Sequence, residues 1–397
     1  MMRSASNASS ALKCLKLRKQ TNNMLPIPSS PLLDKDKNQQ PATGNRQPFY
    51  SPIRNSQSAL HYVECRAALN LTWFRAHFIL LASHFPFLYT EAMHESKKTY
   101  FQRLREYFIA TRPWSFTMSL ISVSIGTLIA GEEGPILWGW YALVCLGIVC
   151  FHATANVYND FFDTRYQVDQ LDSPTARYRP QPILTGMFTP RQLLVEGMVL
   201  NAITIAIGLT LSFQRSFLVF WIGFIGFLAS VFYTAGPVKY KYRAMGELFV
   251  FLMWGPLMFE GAYAVQRMAL SMKVLYLSIP FGILVALVLL ANNIRDIDYD
   301  SRQKIKTIGI LLGGRQSFRV YAGLILAAYL YIIAMVVLGI LSPWGLLVLL
   351  SLPKAIHLLK TFTQRIPEAA DAITAQLDTI FGLLLIAALI LNRTVPL

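Results

Sequence analysis

The stretch Asn156-Val157-Tyr158-Asn159-Asp160-Phe161-Phe162-Asp163 is the polar end of a long apolar run. On a helix, residues four apart share a face, so Asn156 lies above Asp160 with Asp163 close beside them. An echo follows at Asn292-Asn293-Ile294-Arg295-Asp296-Ile297-Asp298-Tyr299-Asp300. There Asn292, Asp296 and Asp300 repeat the four-residue spacing, again just after an apolar run. Polar residues at helix ends are ordinary caps, and one Asn-x-x-x-Asp alone means little. Two copies at equivalent places form one constellation if their helices pack together.

Composition says where those helices lie. Of 397 residues, 54% are hydrophobic and only 14% charged, and the mean hydropathy is +0.43. A soluble domain is nearer about a quarter charged, so this chain belongs in a membrane. The net charge of +15 would suit a nucleic-acid binder only as a basic face on a soluble fold. Here the basic residues gather in the N-terminal tail and in short loops between apolar runs, and no nucleic-acid partner is expected. Cys14, Cys65, Cys145 and Cys150 form no CxxC pair and no disulfide framework.

Apolar runs near the ~20 residues that cross a bilayer core recur from Arg112 onward. They fall at about 113–130, 137–158, 191–212, 216–235, 246–265, 274–294, 316–340, 343–360 and 376–392. The expected fold is an all-α integral membrane bundle of nine transmembrane helices. Upstream, residues 1–57 have the composition of a disordered basic tail or an organellar leader. Residues 58–97, interrupted by Arg75, His77, His84 and Pro86, read as interfacial or unassigned. Residues 98–397 form the membrane domain.

The loops after even-numbered spans carry Arg165, Arg177, Arg179 and Arg191; Lys239, Lys241 and Arg243; Arg295, Arg302, Lys304, Lys306 and Arg315; Lys354, Lys360 and Arg365. The opposite side offers Arg215, Arg267, Lys273 and Arg393. By the positive-inside rule the rich side, with the segment before the first span, is cytoplasmic or its organellar equivalent. Both Asn/Asp motifs open on that side. The protein is expected in a bacterial inner membrane or a eukaryotic organellar membrane.

Carboxylates near hydrocarbon are costly and mark function. Mg²⁺ takes hard oxygen ligands and is commonly held by a few carboxylates together with substrate phosphates. Asp160, Asp163, Asp296 and Asp300 therefore read as a cradle for Mg²⁺ and a diphosphate, with bases in the same loops as counter-charges. The Asp-x-Asp-x-Asp at 296–300 lacks the glycine and distal glutamate of a calcium loop. Asp298 points about 200° from Asp296 on a helix, away from the cradle. Glu247 suits a helix N-terminus, Glu260 an interhelical contact, and His152 packing or a cavity wall. A cation-coupled transporter is the rival of another class. It predicts ionisable groups near the midplane, whereas these acids cluster at one face.

At these residues the sequence resembles the UbiA superfamily of intramembrane aromatic prenyltransferases. Asn156-x-x-x-Asp160-x-x-Asp163 matches that family's first aspartate-rich motif, and Asn292-x-x-x-Asp296-x-x-x-Asp300 its second. The likeness runs from about Arg112 to the C-terminus. Arg112-Pro-Trp-Ser-Phe116, Tyr233-Thr-Ala-Gly-Pro237 with Gly246-Glu247, and Asn292-Asn-Ile-Arg-Asp296 look like the branch that prenylates 1,4-dihydroxy-2-naphthoate for menaquinone. That branch often has Gly-Asp in place of Gly246-Glu247. The resemblance implies a nine-helix bundle around a cavity, and Mg²⁺-assisted ionisation of a polyprenyl diphosphate followed by attack of an aromatic acceptor. It makes Asn156, Asp160, Asp163, Asn292, Asp296 and Asp300 the metal-binding set, with Asp169 an alternative to Asp163. Arg112, Arg165, Lys239, Lys241, Arg302 and Lys304 would hold the diphosphate. Acceptors of the ubiquinone, tocopherol, haem or chlorophyll type stay open, as does an inactive lipid-binding relative.

Overall fold

A computed structural model describes residues 99–234, 236–303 and 305–395. The expectations for residues 1–57 and 58–97, and for Lys304, lie outside the described residues. Among the described residues thirteen α-helices follow one another: α1 (Tyr100–Ala110), α2 (Phe116–Ala130), α3 (Trp138–Arg165), α4 (Pro190–Gln214), α5 (Phe217–Thr234), α6 (Gly246–Leu252), α7 (Met258–Arg267), α8 (Met272–Arg295), α9 (Ile297–Arg302), α10 (Ile308–Leu312), α11 (Gly314–Val337), α12 (Leu352–Gln364) and α13 (Ala370–Thr394). Nine segments among the described residues are long and apolar enough to span a bilayer, each overlapping an expected run. The eighth begins as a nine-residue 3-10 helix, Pro343–Ser351, that continues into α12.

The first element is amphipathic and short. Thr99 and Gln102 cap α1 reciprocally, satisfying two otherwise orphaned backbone N–H groups. Tyr100, Phe101, Leu104 and Phe108 are exposed on it among Arg103 and Arg105, the make-up of a helix lying at a membrane surface. The chain then turns at Arg112, and Pro113 opens a 3-10 turn into α2.

Helix length places the first motif. The 28 residues of α3 run about 42 Å at ~1.5 Å per residue, beyond the ~30 Å of a bilayer core. The helix therefore continues past the expected end at 158 and carries the whole motif to Arg165. The second motif is less regular. Asp296 has φ −96° and ψ 7°, so α8 ends there and α9 starts at Ile297. The backbone bonds Asp296 N–H to Asn292 O (3.0 Å) and Asp300 N–H to Asp296 O (2.8 Å) bridge the break. They preserve the four-residue register: Asp296 and Asp300 are buried, and Asp298 is exposed.

The fifth span is broken between α6 and α7. Pro256 lacks an N–H and would clash with the preceding turn, and the chain responds with a π-turn at Met253–Leu257 and a non-helical Gly255. The carbonyl of Trp254 accepts a hydrogen bond from Ser122 Oγ at 2.6 Å. Gly255 also lets α8 approach closely, since a Cβ there would lie 3.2 Å from the Gly282 Cα. Around this crossing Ile121, Ile125, Phe259, Phe281, Leu284, Tyr321 and Phe381 form the core that joins α2, α7, α8, α11 and α13. The break stays apolar, and the buried aspartates of the two motifs sit at the helix ends.

Candidate functional site

The packing brings the two motifs together beneath the loops after the second, fourth and sixth spans. Asp160 and Asp163 are each 2% exposed, Asp296 6% and Asp300 8%. Burying four carboxylates so deeply requires compensation, and three of them have it. Arg112 forms an ion pair with Asp160. Asp163 accepts from Lys241 Nζ at 2.6 Å and from the Tyr242 hydroxyl. Arg295 grips Asp296 with two bonds, Nε to Oδ1 at 2.6 Å and Nη2 to Oδ2 at 2.7 Å.

Asp300 and Asp169 have no ion-pair partner among the described residues, and their titration reflects it. Burial, then the charge of Asp296, pushes the Asp300 carboxyl up to about 7, although Lys241 opposes the shift. Burial and the charge of Asp163 push Asp169 up to about 6, opposed by Lys241 and Arg179. Lys241 therefore feels both motifs at once. The loop after α3 adds direct ties: Tyr299 donates to Val168 O at 3.0 Å, and Arg295 Nη2 to Thr175 Oγ1 at 2.8 Å.

The bases are held under strain. Arg112 (φ 57°) and Lys239 (φ 48°) both adopt the left-handed conformation, which costs a non-glycine residue ~1–3 kcal/mol. Arg112 is doubly unusual, because a residue before proline favours extended backbone. Its Nε and that of Arg179 are buried without a hydrogen-bond partner. Burial works against the Arg112 charge, but Asp160 outweighs it and the pKa is raised; for Arg179, burial and then Arg112 lower it. Two guanidinium edges with unused donors beside buried carboxylates suit an incoming anion.

Several sequence expectations shift. Asn156 donates to Thr111 O (2.9 Å) and Ser115 Oγ (3.1 Å), so its amide holds the α1–α2 corner that carries Arg112. Asn292 Oδ1 accepts from Arg295. Lys239 Nζ lies 3.4 Å over the Tyr166 ring. Arg165 is exposed at the end of α3 and joins no carboxylate of the motifs among the described residues. Arg302 is also exposed; it donates to Asp298 O at 3.2 Å and faces the Tyr299 ring. Glu247 accepts from Asn293 Nδ2 at 2.7 Å, tying α6 to the second motif. Glu260 accepts from the Ser271 backbone N–H at 3.1 Å, an interhelical contact. Asn159 and Tyr242 are the members the sequence reading missed; Arg179 and Arg295 were among its loop bases but outside its expected diphosphate set. The alternation Lys239-Tyr240-Lys241-Tyr242-Arg243 was the visible signal for Tyr242.

Below the acids lies a cavity of about 160 Å³ walled by Arg112, His152, Asn159, Tyr233, Phe249 and Trp254. Donor accounting fixes the His152 tautomer. Trp254 Nε1–H donates to Ser119 Oγ at 3.0 Å, and that oxygen lies 2.8 Å from His152 Nδ1. Ser115 donates to Arg112 O at 2.8 Å, leaving its Oγ to accept from His152 Nε2–H at 3.2 Å. Phe151, Met253 and Met258 are shared with a second, apolar cavity of about 380 Å³ between α2, α3, α4, α5 and α7, whose wall includes Gly147, Gly208, Gly223 and Gly226. The smaller cavity has Arg112, His152 and Asn159 in its wall, and the larger is lined almost wholly by apolar side chains and glycines.

A donor set of buried carboxylates matches the hard-oxygen preference of Mg²⁺, and the unused guanidinium edges match a phosphate. Among the described residues no three acidic, His or Cys side chains yet converge as metal ligands.

A nine-span helical membrane protein with paired acidic motifs over an apolar cavity is the class that fold and site define. The UbiA prenyltransferase family matches residues 119–387, and the chain belongs to it. It is 29% identical to the 1,4-dihydroxy-2-naphthoate octaprenyltransferase of Bacillus subtilis over 286 residues, 71% of this chain and 91% of that protein. It is 30% identical to UbiA prenyltransferase domain-containing protein 1 of Dictyostelium discoideum over 304 residues, 72% and 88% of the two chains. A UbiA homologue from Aeropyrum pernix K1 superposes with a TM-score of 0.56 at 18% identity, covering 71% of this chain and 98% of that one. A UbiA homologue from Archaeoglobus fulgidus solved with GPP and Mg²⁺ gives 0.51 at 15% identity, with coverage of 73% and 100%.

Proposed function

We propose that this chain transfers a polyprenyl group from an allylic diphosphate to 1,4-dihydroxy-2-naphthoate, with Mg²⁺, in menaquinone biosynthesis. The observation that carries the transfer chemistry is the burial of both acidic motifs among Arg112, Lys241 and Arg295, beside a cavity that shares Phe151, Met253 and Met258 with a larger apolar one. The acceptor rests on the likeness to the Bacillus subtilis enzyme.

Asp160, Asp296, Asp300 and either Asp163 or Asp169 would hold Mg²⁺, which when bound supplies Lewis-acid stabilisation of the departing diphosphate. Asp169 has no ion-pair partner among the described residues and is open to a metal as it stands, whereas Asp163 would first have to be released by Lys241 and Tyr242. Arg112, Arg179, Lys239 and Lys241 bind the diphosphate oxygens and neutralise charge as the C1–O bond breaks. The prenyl chain runs past Phe151, Met253 and Met258 into the apolar cavity. Tyr233, Phe249 and Trp254 offer aromatic faces to the allylic cation, and the apolar walls keep water from quenching it. The electron-rich ring attacks C1 and forms the carbon–carbon bond. The naphthoate carboxylate leaves as carbon dioxide, so it takes the place of a ring proton at that carbon and no base is needed there.

By the positive-inside rule, the basic loops support a site on the cytoplasmic face or its organellar equivalent. Residues 98–397 are the catalytic domain, and residues 1–57 a tail or leader outside it. An acceptor panel in membranes tests the substrate: prenylation of the naphthoate but not of 4-hydroxybenzoate is expected, and the reverse would overturn the assignment.

A further inference from the structure

The ion pairs at the site differ in how replaceable they are. Arg295 is saturated: besides Asp296 and Asn292, it donates to Thr175 Oγ1 (2.8 Å), Glu368 O (2.7 Å) and Asp371 Oδ1 (3.2 Å). Its acceptors come from α8, the loop after α3, and the approach to α13, so motion of its guanidinium breaks contacts with three parts of the fold. Among the described residues Arg112 forms an ion pair with Asp160 alone and keeps an unused Nε. Lys241 Nζ hydrogen-bonds there only to Asn159 Oδ1 (3.0 Å) and Asp163 Oδ2 (2.6 Å), and it also lies over the Tyr233 and Tyr242 rings. Ammonium donors on a flexible stem re-aim readily, and a half-used guanidinium has donors to offer elsewhere.

From this asymmetry we propose that Arg112 and Lys241 are exchangeable caps on Asp160 and Asp163, so that divalent metal and diphosphate bind cooperatively. The inference rests on the reading of this site as a metal–diphosphate site, and adds a thermodynamic coupling to it. A divalent ion arriving alone must compete with a cation already in contact with each carboxylate. A diphosphate offers Arg112 and Lys241 another anion, and both carboxylates are released to the metal as the bases turn to phosphate. Arg295 keeps its place, orienting Asp296 whether or not ligands are bound. Each ligand thus raises the affinity of the other by the same factor, as linkage requires. Charge accounting favours the exchange, because every cation stays paired throughout and only the identity of its partner changes.

The test uses the full chain reconstituted in phosphatidylcholine vesicles, with Mn²⁺ as the metal probe and labelled inorganic pyrophosphate as the anion. Metal and pyrophosphate sedimenting with the vesicles are counted against protein-free vesicles. Pyrophosphate is expected to raise wild-type Mn²⁺ affinity about tenfold or more, within the range of ordinary allosteric coupling. Arg112→Gln and Lys241→Gln should tighten Mn²⁺ binding alone and bring that ratio toward one. Arg243→Gln removes an exposed positive charge from the loop that carries Lys241 without uncapping a carboxylate, and should leave the ratio near wild type. A wild-type ratio near one, with both ligands bound, overturns the coupling and leaves the site reading intact. So does an Arg243→Gln ratio that falls as far as that of Arg112→Gln, which would reduce the effect to bulk charge. Failure of pyrophosphate to sediment with wild type at any Mn²⁺ concentration overturns the site reading itself. The wild-type ratio decides the matter even if a variant fails to insert.

Discussion

Filling the apolar cavity tests where the prenyl chain goes. Gly208 and Gly223 line it, and a Cβ built on either meets no heavy atom within 4 Å. Gly208→Leu and Gly223→Leu therefore add an isobutyl group to open space and leave the helix backbones where they are. Forcing extra methylenes against a chain that already fills a cavity costs ~1–3 kcal/mol. At ~1.4 kcal/mol per tenfold, the penalty is about 5- to 150-fold in apparent affinity for a long donor. A dimethylallyl donor ends before Phe151, Met253 and Met258 and should be unaffected. The assay is steady-state prenyl transfer in membranes, comparing KM across donors of increasing length. The expected pattern is a KM that rises only beyond a threshold length, earlier in the double variant. Equal loss for all donors would mean a damaged fold, and unchanged long-chain kinetics would mean that the tail leaves the site by another route.

Other consequences follow from single residues. Asp300 carries a proton below about pH 7, and a protonated carboxyl is a poor Mg²⁺ ligand, so Mg²⁺ affinity should rise as pH increases from 6 to 8. Asp300→Asn should flatten that part of the profile; an unchanged slope assigns it to another group. The same upward shift makes the folded state bind the proton more tightly than the unfolded chain. Its contribution to stability is therefore full below the ordinary carboxylate range and fades as pH rises through about 7. At Gly126, an added Cβ would sit 2.3 Å from the Phe259 carbonyl oxygen. Gly126→Ala must therefore part α2 from α7, and should destabilise the bundle by ~1–3 kcal/mol, read as a lower Tm in detergent; an unchanged Tm would show that the crossing yields freely.

Much of this was legible in the chain. Nine apolar runs near bilayer length dictate nine spans, since a membrane leaves the backbone no alternative but internal hydrogen bonding. The spacing of Asp160 and Asp163, and of Asp296 and Asp300, placed four carboxylates at helix ends before any packing was known. What spacing cannot show is which donor turns toward which acid. Arg165 and Lys241 looked equivalent as loop bases, yet one is exposed and the other binds Asp163, because the left-handed turn at Lys239 redirects the chain. The asparagines show the same gap. Asn156 and Asn292 share a helical face with the aspartates, but an amide can also donate or accept locally, and here Asn156 secures a corner while Asn292 meets Arg295. The break at Asp296 was hidden because its backbone bonds keep the helical register across it.

The central claim is tested most directly by prenyl transfer in membranes expressing the chain. The assay supplies a labelled allylic diphosphate and 1,4-dihydroxy-2-naphthoate, with Mg²⁺ or EDTA, to wild type and Asp296→Asn. The account predicts a lipid-soluble prenylated product that requires Mg²⁺ and is lost in Asp296→Asn. Product formed equally in EDTA, or undiminished in the variant, would contradict it.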